Sequence, residues 1–262
     1  MDIQNGVIKD PRPVEQVEVD YKHVSGSVPI VWKELGELKL TSKRWQDGSS
    51  SCVFQAGATA LEKLLGKVCS ATPYFWRANY PDKGSWLQDM GNIFYNRFTT
   101  LESLSPSQNQ SEAQMNQMKQ LTTFLGITGY RQVKACNIDL VAEAIESYGQ
   151  CVVAYGSNNL EWVQSDNTPK YLGGIEEWGH AICALQYGLV NGKKVIVCRD
   201  SAVPSGITII TEEFHTKRSN GGLYFMGGKD VQAPQDLEEQ KKAILQKIIE
   251  LYKQIIAMLF KK

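Results

Sequence analysis

Apolar side chains at 53, 56, 60, 61, 64 and 65 recur with the spacing of one helical face, directly after a polar run from Asp47 to Ser51. The pattern predicts a helix opening at Cys52, with serines as N-cap candidates and Gly66 as its stop. Residues 87–98 read as a second helix. Residues 137–148 read as a third, capped by Asn137 and ended by Gly149, with Ile138, Leu140, Val141, Ala144 and Ile145 on its apolar side. Strand patterns fall at 127–133 and 151–156. The Asn191-Gly192 pair then joins two apolar runs, 178–188 and 193–201, as a hairpin. Further strands at 207–210 and 222–226 close the sheet. Helices precede an antiparallel sheet, which makes the chain α+β with one helical and one β-rich lobe.

The flanks carry other patterns. Residues 1–28 are polar, contain Pro11 and Pro13, and read as an extended arm ahead of a main domain at 29–228. Residues 72–96 are rich in aromatics, and 102–120 form a polar connection passing into a weak helix. A linker at 229–236, with Pro234, leads to an amphipathic helix at 237–262. Its apolar residues at 245, 248, 252, 255 and 259 follow coiled-coil spacing. Lys247, Glu250, Lys253 and Gln254 interrupt the stripe, so it is no membrane span. A helix with so wide an apolar stripe is expected to dock on another surface: foremost the same helix of a second copy, making residues 237–260 a homo-oligomer contact, and otherwise the main domain of its own chain, a membrane or another partner.

Lys plus Arg and Asp plus Glu both number 28 in 262 residues. This balance gives no electrostatic case for nucleic acid or a membrane surface. The six cysteines, at 52, 69, 136, 151, 183 and 198, show no C-x-x-C pair and no zinc spacing. Neither a metal nor a cofactor is called for. Cys151, Cys183 and Cys198 lie in apolar strand-like runs, where cysteine behaves as a small hydrophobe. No basic segment followed by an apolar one opens the chain. The expectation is a cytoplasmic protein with free thiols.

Candidate chemistry centres on Cys52, which the first turn of its helix places at a positive dipole end, where a thiolate nucleophile is favoured. Gln46, six residues earlier across a turn, carries an amide able to donate to an oxyanion beside the sulfur. A cysteine nucleophile needs a base, and the base an orienter. Pairing across the 191–192 turn sets residues whose numbers sum to about 383 opposite each other. His180 then faces residue 203 or so, within a short bulge of Asp200. Of the other histidines, His23 lies in the arm and His215 in a charged loop, neither with such a partner set.

The Gln46-to-Cys52 segment, followed by its helix, resembles the active-site segment of papain-like cysteine peptidases. Gly179-His180-Ala181-Ile182 and Cys198-Arg199-Asp200-Ser201 are similar to that family's histidine strand and the strand after it. The resemblance covers roughly residues 29–228. It implies a two-lobe papain-like fold and a thiol hydrolase cutting peptide or isopeptide bonds of a peptide or protein substrate. Cys52 would attack, His180 act as base and then acid, Asp200 orient His180, and Gln46 with the Cys52 backbone N–H hold the oxyanion. Gly84, in a turn before an aromatic, and Gly179 would contact substrate.

This sequence departs from the family at several places. Aspartate stands at 200 for the usual asparagine. Ala202 and Val53 replace two tryptophans, one of which ordinarily shields the histidine pair, so a wetter and less rigid pair is expected. Ser49 stands where secreted relatives place a disulfide cysteine, and the arm is too short for their inhibitory propeptide. The competing reading is a catalytically idle scaffold that acts through its C-terminal helix.

Overall fold

The helix that opens at Cys52 forms as its pattern requires. α1 (Cys52–Leu65) ends at Gly66, whose φ of 65° permits the left-handed turn and whose N–H donates to the Glu62 carbonyl. The structure, a computed structural model, describes residues 29–37, 43–46, 50–71, 84–96, 99–104 and 123–232, with 245, 246, 248 and 249. α2 (Leu87–Asn96) lies against α1 at Gly57, where an added Cβ would come within 2.5 Å of Met90 Sδ. α3 (Ile138–Tyr148) is capped as expected: the Asn137 side chain accepts from the N–H groups of Asp139 and Leu140.

Six antiparallel strands follow: β1 (Thr123–Val133), β2 (Cys151–Ser157), β3 (Trp178–Val190), β4 (Lys193–Arg199), β5 (Ile207–Thr211) and β6 (Ser219–Gln232). They form one sheet in the order β1-β6-β2-β3-β4-β5. Successive strand residues point to opposite faces, and the two faces feed two cores. One core joins α1 and α2 to Val152, Ala181, Cys183, Leu223 and Phe225. The other joins α3 to Val153, Ile182, Ile196 and Tyr224, with Trp162 and Phe214. The α+β architecture expected from the sequence is the one observed.

Asn191 and Gly192 both have positive φ, 51° and 72°, as a two-residue hairpin turn requires. Pairing runs from Val190↔Lys193 to Gln186↔Val197, every pair summing to 383. A bulge at Leu185 then shifts the register, so that Ala184 faces Cys198 and Cys183 faces Arg199. That one-residue slip brings Asp200 back toward His180.

Several elements differ from the sequence pattern. α4 (Asn159–Trp162) and α5 (Glu212–Arg218) occupy stretches read as loops. His215 lies not in an exposed charged loop but buried in α5, with Tyr155 Oη 2.9 Å from its Nδ1. β6 continues to Gln232, so residues 229–232 of the expected linker are strand. Residues 33–35 run beside the end of β3, with Leu35 N donating to Leu189 O at 2.8 Å and Leu189 N to Lys33 O at 2.7 Å. The arm at 1–28, residues 72–83 of the aromatic stretch, residues 105–122 and most of 237–262 lie outside the described residues. Positions 245, 246, 248 and 249 are helical, and Leu245, Ile248 and Ile249 are exposed. No helix among the described residues is long and apolar enough to cross a membrane.

Candidate active site

The positive end of α1 falls at Cys52. The first turn contains no acidic residue to neutralise the helix dipole. Ser51 is the N-cap, but through its carbonyl, which accepts from the N–H groups of Phe54 and Gln55 at 2.9 Å; its hydroxyl oxygen takes the Gln55 side chain at 3.4 Å. Cys52 itself is fully buried. Its side chain lies against the His180 imidazole and contributes to raising that group's pKa.

His180 stands near the start of β3, where Tyr155 of β2 pairs with it. Its Nε2 is 2.8 Å from Asp200 Oδ1, and both side chains are fully buried. The other ring nitrogen, Nδ1, has no hydrogen-bond partner among the described residues and is the one left for the sulfur. Burial alone would lower the His180 pKa. The Asp200 charge and hydrogen bond, with the Cys52 side chain, outweigh it and hold the imidazole above its usual range. Burial would conversely raise Asp200, but His180, the Ala202 N–H and the Thr208 hydroxyl hold it below the ordinary carboxylate value. Ala202 N donates to Oδ1 at 2.8 Å and Thr208 Oγ1 to Oδ2 at 2.7 Å. Both carboxylate oxygens are therefore fixed.

Gln46 is held from the same side. Its backbone N–H donates to the Ser201 carbonyl at 3.0 Å, and its Oε1 accepts from the Ser201 hydroxyl at 2.8 Å. With the carbonyl end of the amide anchored, the NH2 end is turned away from Ser201 as a donor. The segment bearing Gln46 and the segment bearing Asp200 are thus tied together directly.

The loss of the expected tryptophan shield is made good from elsewhere. The Trp162 ring of α4 meets the His180 imidazole edge-on at 5.3 Å, and Trp178, two residues earlier on the same face of β3, does so at 6.4 Å. The two indoles contact each other at 5.6 Å, and Trp178 Nε1 donates to Asn159 Oδ1 at 3.2 Å. The wetter, looser pair expected from Ala202 and Val53 is therefore corrected. Ala202 and Val53 are buried, and the His180–Asp200 pair is dry. Trp178 was recoverable from the two-residue strand period. Trp162, Ser201 and Thr208 had no comparable local signal.

The remaining cysteines differ from Cys52 in their surroundings. Burial pushes the Cys69 and Cys151 thiols up to about 12 and carries Cys183 and Cys198 upward as well. Cys136 is exposed in a turn. Among the described residues, no three His, Cys, Asp or Glu side chains gather into a metal-binding group. Gly179 pairs with Gly156 immediately before His180. Gly84 is buried two residues ahead of Trp86, but the turn preceding it, 81–83, lies outside the described residues.

Solved structures share this arrangement of sheet and helices. Xylellain, a cysteine protease from Xylella fastidiosa, aligns with a TM-score of 0.61 at 15% identity over 85% of this chain and 96% of its own. Digestive procathepsin L 3 of Tenebrio molitor larval midgut aligns with a TM-score of 0.57 at 14% identity, over 71% of this chain and 66% of its own. A Carica candamarcensis cysteine protease in complex with E-64 aligns with a TM-score of 0.55 at 15% identity, over 72% of this chain and 93% of its own.

The fold is papain-like.

By sequence, no family model and no curated protein matches the chain. At these identities it is a divergent version of the papain-like fold. In it, Val53 directly after Cys52 and Ala202 two residues after Asp200 stand in place of the usual tryptophans.

Proposed function

We propose that the protein is a thiol hydrolase that cuts peptide or isopeptide bonds. The observation that carries this reading is the buried His180–Asp200 pair at 2.8 Å with the Cys52 side chain against the same imidazole. His180 Nδ1 takes the Cys52 proton, and Asp200 at Nε2 favours the imidazolium so formed. The thiolate attacks the scissile carbonyl carbon, forming a C–S bond. The carbonyl oxygen becomes an oxyanion facing the Gln46 NH2 and the Cys52 backbone N–H. As the C–N bond breaks, His180 gives its proton to the leaving amine, and a thioester remains on Cys52. His180, now neutral, takes a proton from water, whose hydroxide attacks the thioester. Collapse releases the carboxylic acid and restores the thiolate–imidazolium pair.

Turnover of a mixed peptide pool tests this. Wild type should cleave, and Cys52→Ala should be folded and inactive. Cleavage at the wild-type rate by Cys52→Ala would reject the assignment. The second reading, an idle scaffold, is favoured by the complete burial of Cys52. It predicts a folded wild type with no turnover of any peptide under reducing conditions. We further propose a cytoplasmic setting, supported by six unpaired cysteines, and self-association through residues 237–260. Sedimentation of the full chain beside a version ending at Gln232 checks the latter. If both sediment as monomers, that contact is wrong.

A further inference from the structure

Next to the His180–Asp200 pair, the fold buries a guanidinium that no described residue meets in a hydrogen bond or ion pair. Arg199, the residue before Asp200, is only 6% exposed. Its guanidinium makes no hydrogen bond or ion pair with any described residue, and its Nε and Nη2 atoms are wholly buried. These two atoms form one edge of the guanidinium, the side-on fork that presents two parallel N–H donors. The Nη1 end is backed by Gly206, where an added Cβ would lie 3.3 Å away.

A second cation is close by. Arg44 is 5% exposed; its Nη2 donates to Glu62 Oε2 at 3.0 Å and to the Cys69 carbonyl at 2.6 Å, and its Nη1 lies 3.8 Å from Glu102. Its Nε is buried without a partner. Lys43 reaches the same Gly206 position, its Cγ 3.2 Å from the added Cβ. Burial lowers the Arg199 pKa, Glu62 opposes that, and Arg44 adds to it. Two buried arginines therefore share the field of Glu62, which is already bonded to Arg44, with Glu102 at the rim and the exposed Lys43 packed by its stem nearby. A guanidinium does not shed its proton at any physiological pH, so it cannot escape this cost by neutralising. Glu62 acts on Arg199 only through space while bonded to Arg44, and burying an ion with no counter-charge in contact is among the costliest arrangements in a folded protein.

We propose that Arg199 and Arg44 bind a small monovalent anion, chloride being the cellular example. The ion would sit on the Nε/Nη2 edge of Arg199, within the positive field of Arg44. A halide accepts from N–H donors in any direction and needs no donor hydrogen of its own, which suits two buried N–H groups on one edge. A larger oxyanion would need room and further donors. The placement matters because Arg44 lies two residues before Gln46, and Arg199 lies beside Asp200. The same two segments are already joined by the Gln46 and Ser201 hydrogen bonds. An anion between the arginines adds a second tie. The binding claim rests on these charges alone and does not require the peptidase reading.

Thermal unfolding of the full chain in sodium chloride and in sodium gluconate, at equal ionic strength to hold screening constant, tests it. The wild-type Tm should rise with chloride and saturate, and should not respond to gluconate. Arg199→Met should lose the halide response and match or exceed the wild-type Tm in gluconate, because the unpaired charge is gone. Crystals grown in bromide should show an anomalous peak at the Arg199 edge. Identical wild-type Tm values in the two salts, a halide response retained in Arg199→Met, or no bromide peak beside Arg199 would each overturn the proposal.

Discussion

Asp200→Asn isolates charge from shape at the His180 pair. The carboxylate accepts three hydrogen bonds, from His180 Nε2 and Ala202 N to Oδ1 and from Thr208 Oγ1 to Oδ2. An asparagine keeps the first two on its Oδ1. Its NH2 then meets the Thr208 hydroxyl, which turns from donor to acceptor. Packing is preserved, and the negative charge is lost. Hydrogen bonds to charged groups are worth about 1.5–3 kcal/mol against about 1 kcal/mol for neutral ones. The imidazolium therefore loses on the order of 1–2 kcal/mol of support, and about 1.4 kcal/mol corresponds to one pH unit. Because Asp200 raises the folded-state His180 pKa, the imidazolium is complete below its ordinary value and is lost as pH rises through the raised one. In the variant, that loss comes about one pH unit lower. Alkylation of Cys52 by iodoacetate, mapped by mass across pH, reads this directly, since the imidazolium draws the reagent's carboxylate. An alkaline limb that stays in place would show that Asp200 does not govern His180.

Trp162→Ala removes a wall of the His180 pocket and should cost about 3–5 kcal/mol in urea unfolding, with a lower turnover rate; a cost below about 1 kcal/mol would contradict the packing. Arg218 grips the fully buried Glu161 through Nε at 2.8 Å and Nη2 at 2.7 Å, and it also donates to the Gly174 carbonyl. Arg218→Met should cost about 3–5 kcal/mol by leaving Glu161 unpaired, and Glu161→Gln added to it should recover part; full stability in the single variant would contradict the pairing. Burial lowers the His215 pKa to about 4, against an ordinary value of 6.5. The unfolded chain takes up that proton first as pH falls, so stability should decline from about pH 6.5 and level off near 4, by at most about 3 kcal/mol. His215→Gln, which keeps an acceptor for Tyr155, should flatten the decline between pH 7 and 5 in urea unfolding; an unchanged slope would remove His215 as its source.

What could be read from the sequence was what local rules govern. The Gly66 and Gly149 stops, the Asn137 cap and the Asn191-Gly192 turn are each decided within a few residues. Turn arithmetic carried the His180–Asp200 pairing to within a single bulge, whose position at Leu185 no local signal marks. α5 carries local signals of its own: Thr211 caps it by accepting from Phe214 N at 3.2 Å, acids fill its first turn, and bases fill its last. α4 has four residues and no period to detect, so the Trp162 it carries to His180 emerged only with the tertiary structure. The same holds for Thr208, which reaches Asp200 because β5 pairs with β4 with Cys198 opposite Thr208.

The central claim is that one sulfur of six is the nucleophile. Its most direct test is competitive labelling of the full chain, in reducing buffer near neutral pH, by an epoxide- or vinyl-sulfone-type thiol probe, with the modified residue mapped by mass. The account predicts modification at Cys52 in the wild type and none at that position in His180→Ala, with the buried Cys69, Cys151, Cys183 and Cys198 silent in both. Preferential modification of the exposed Cys136, or a Cys52 rate that is indifferent to His180, would contradict it.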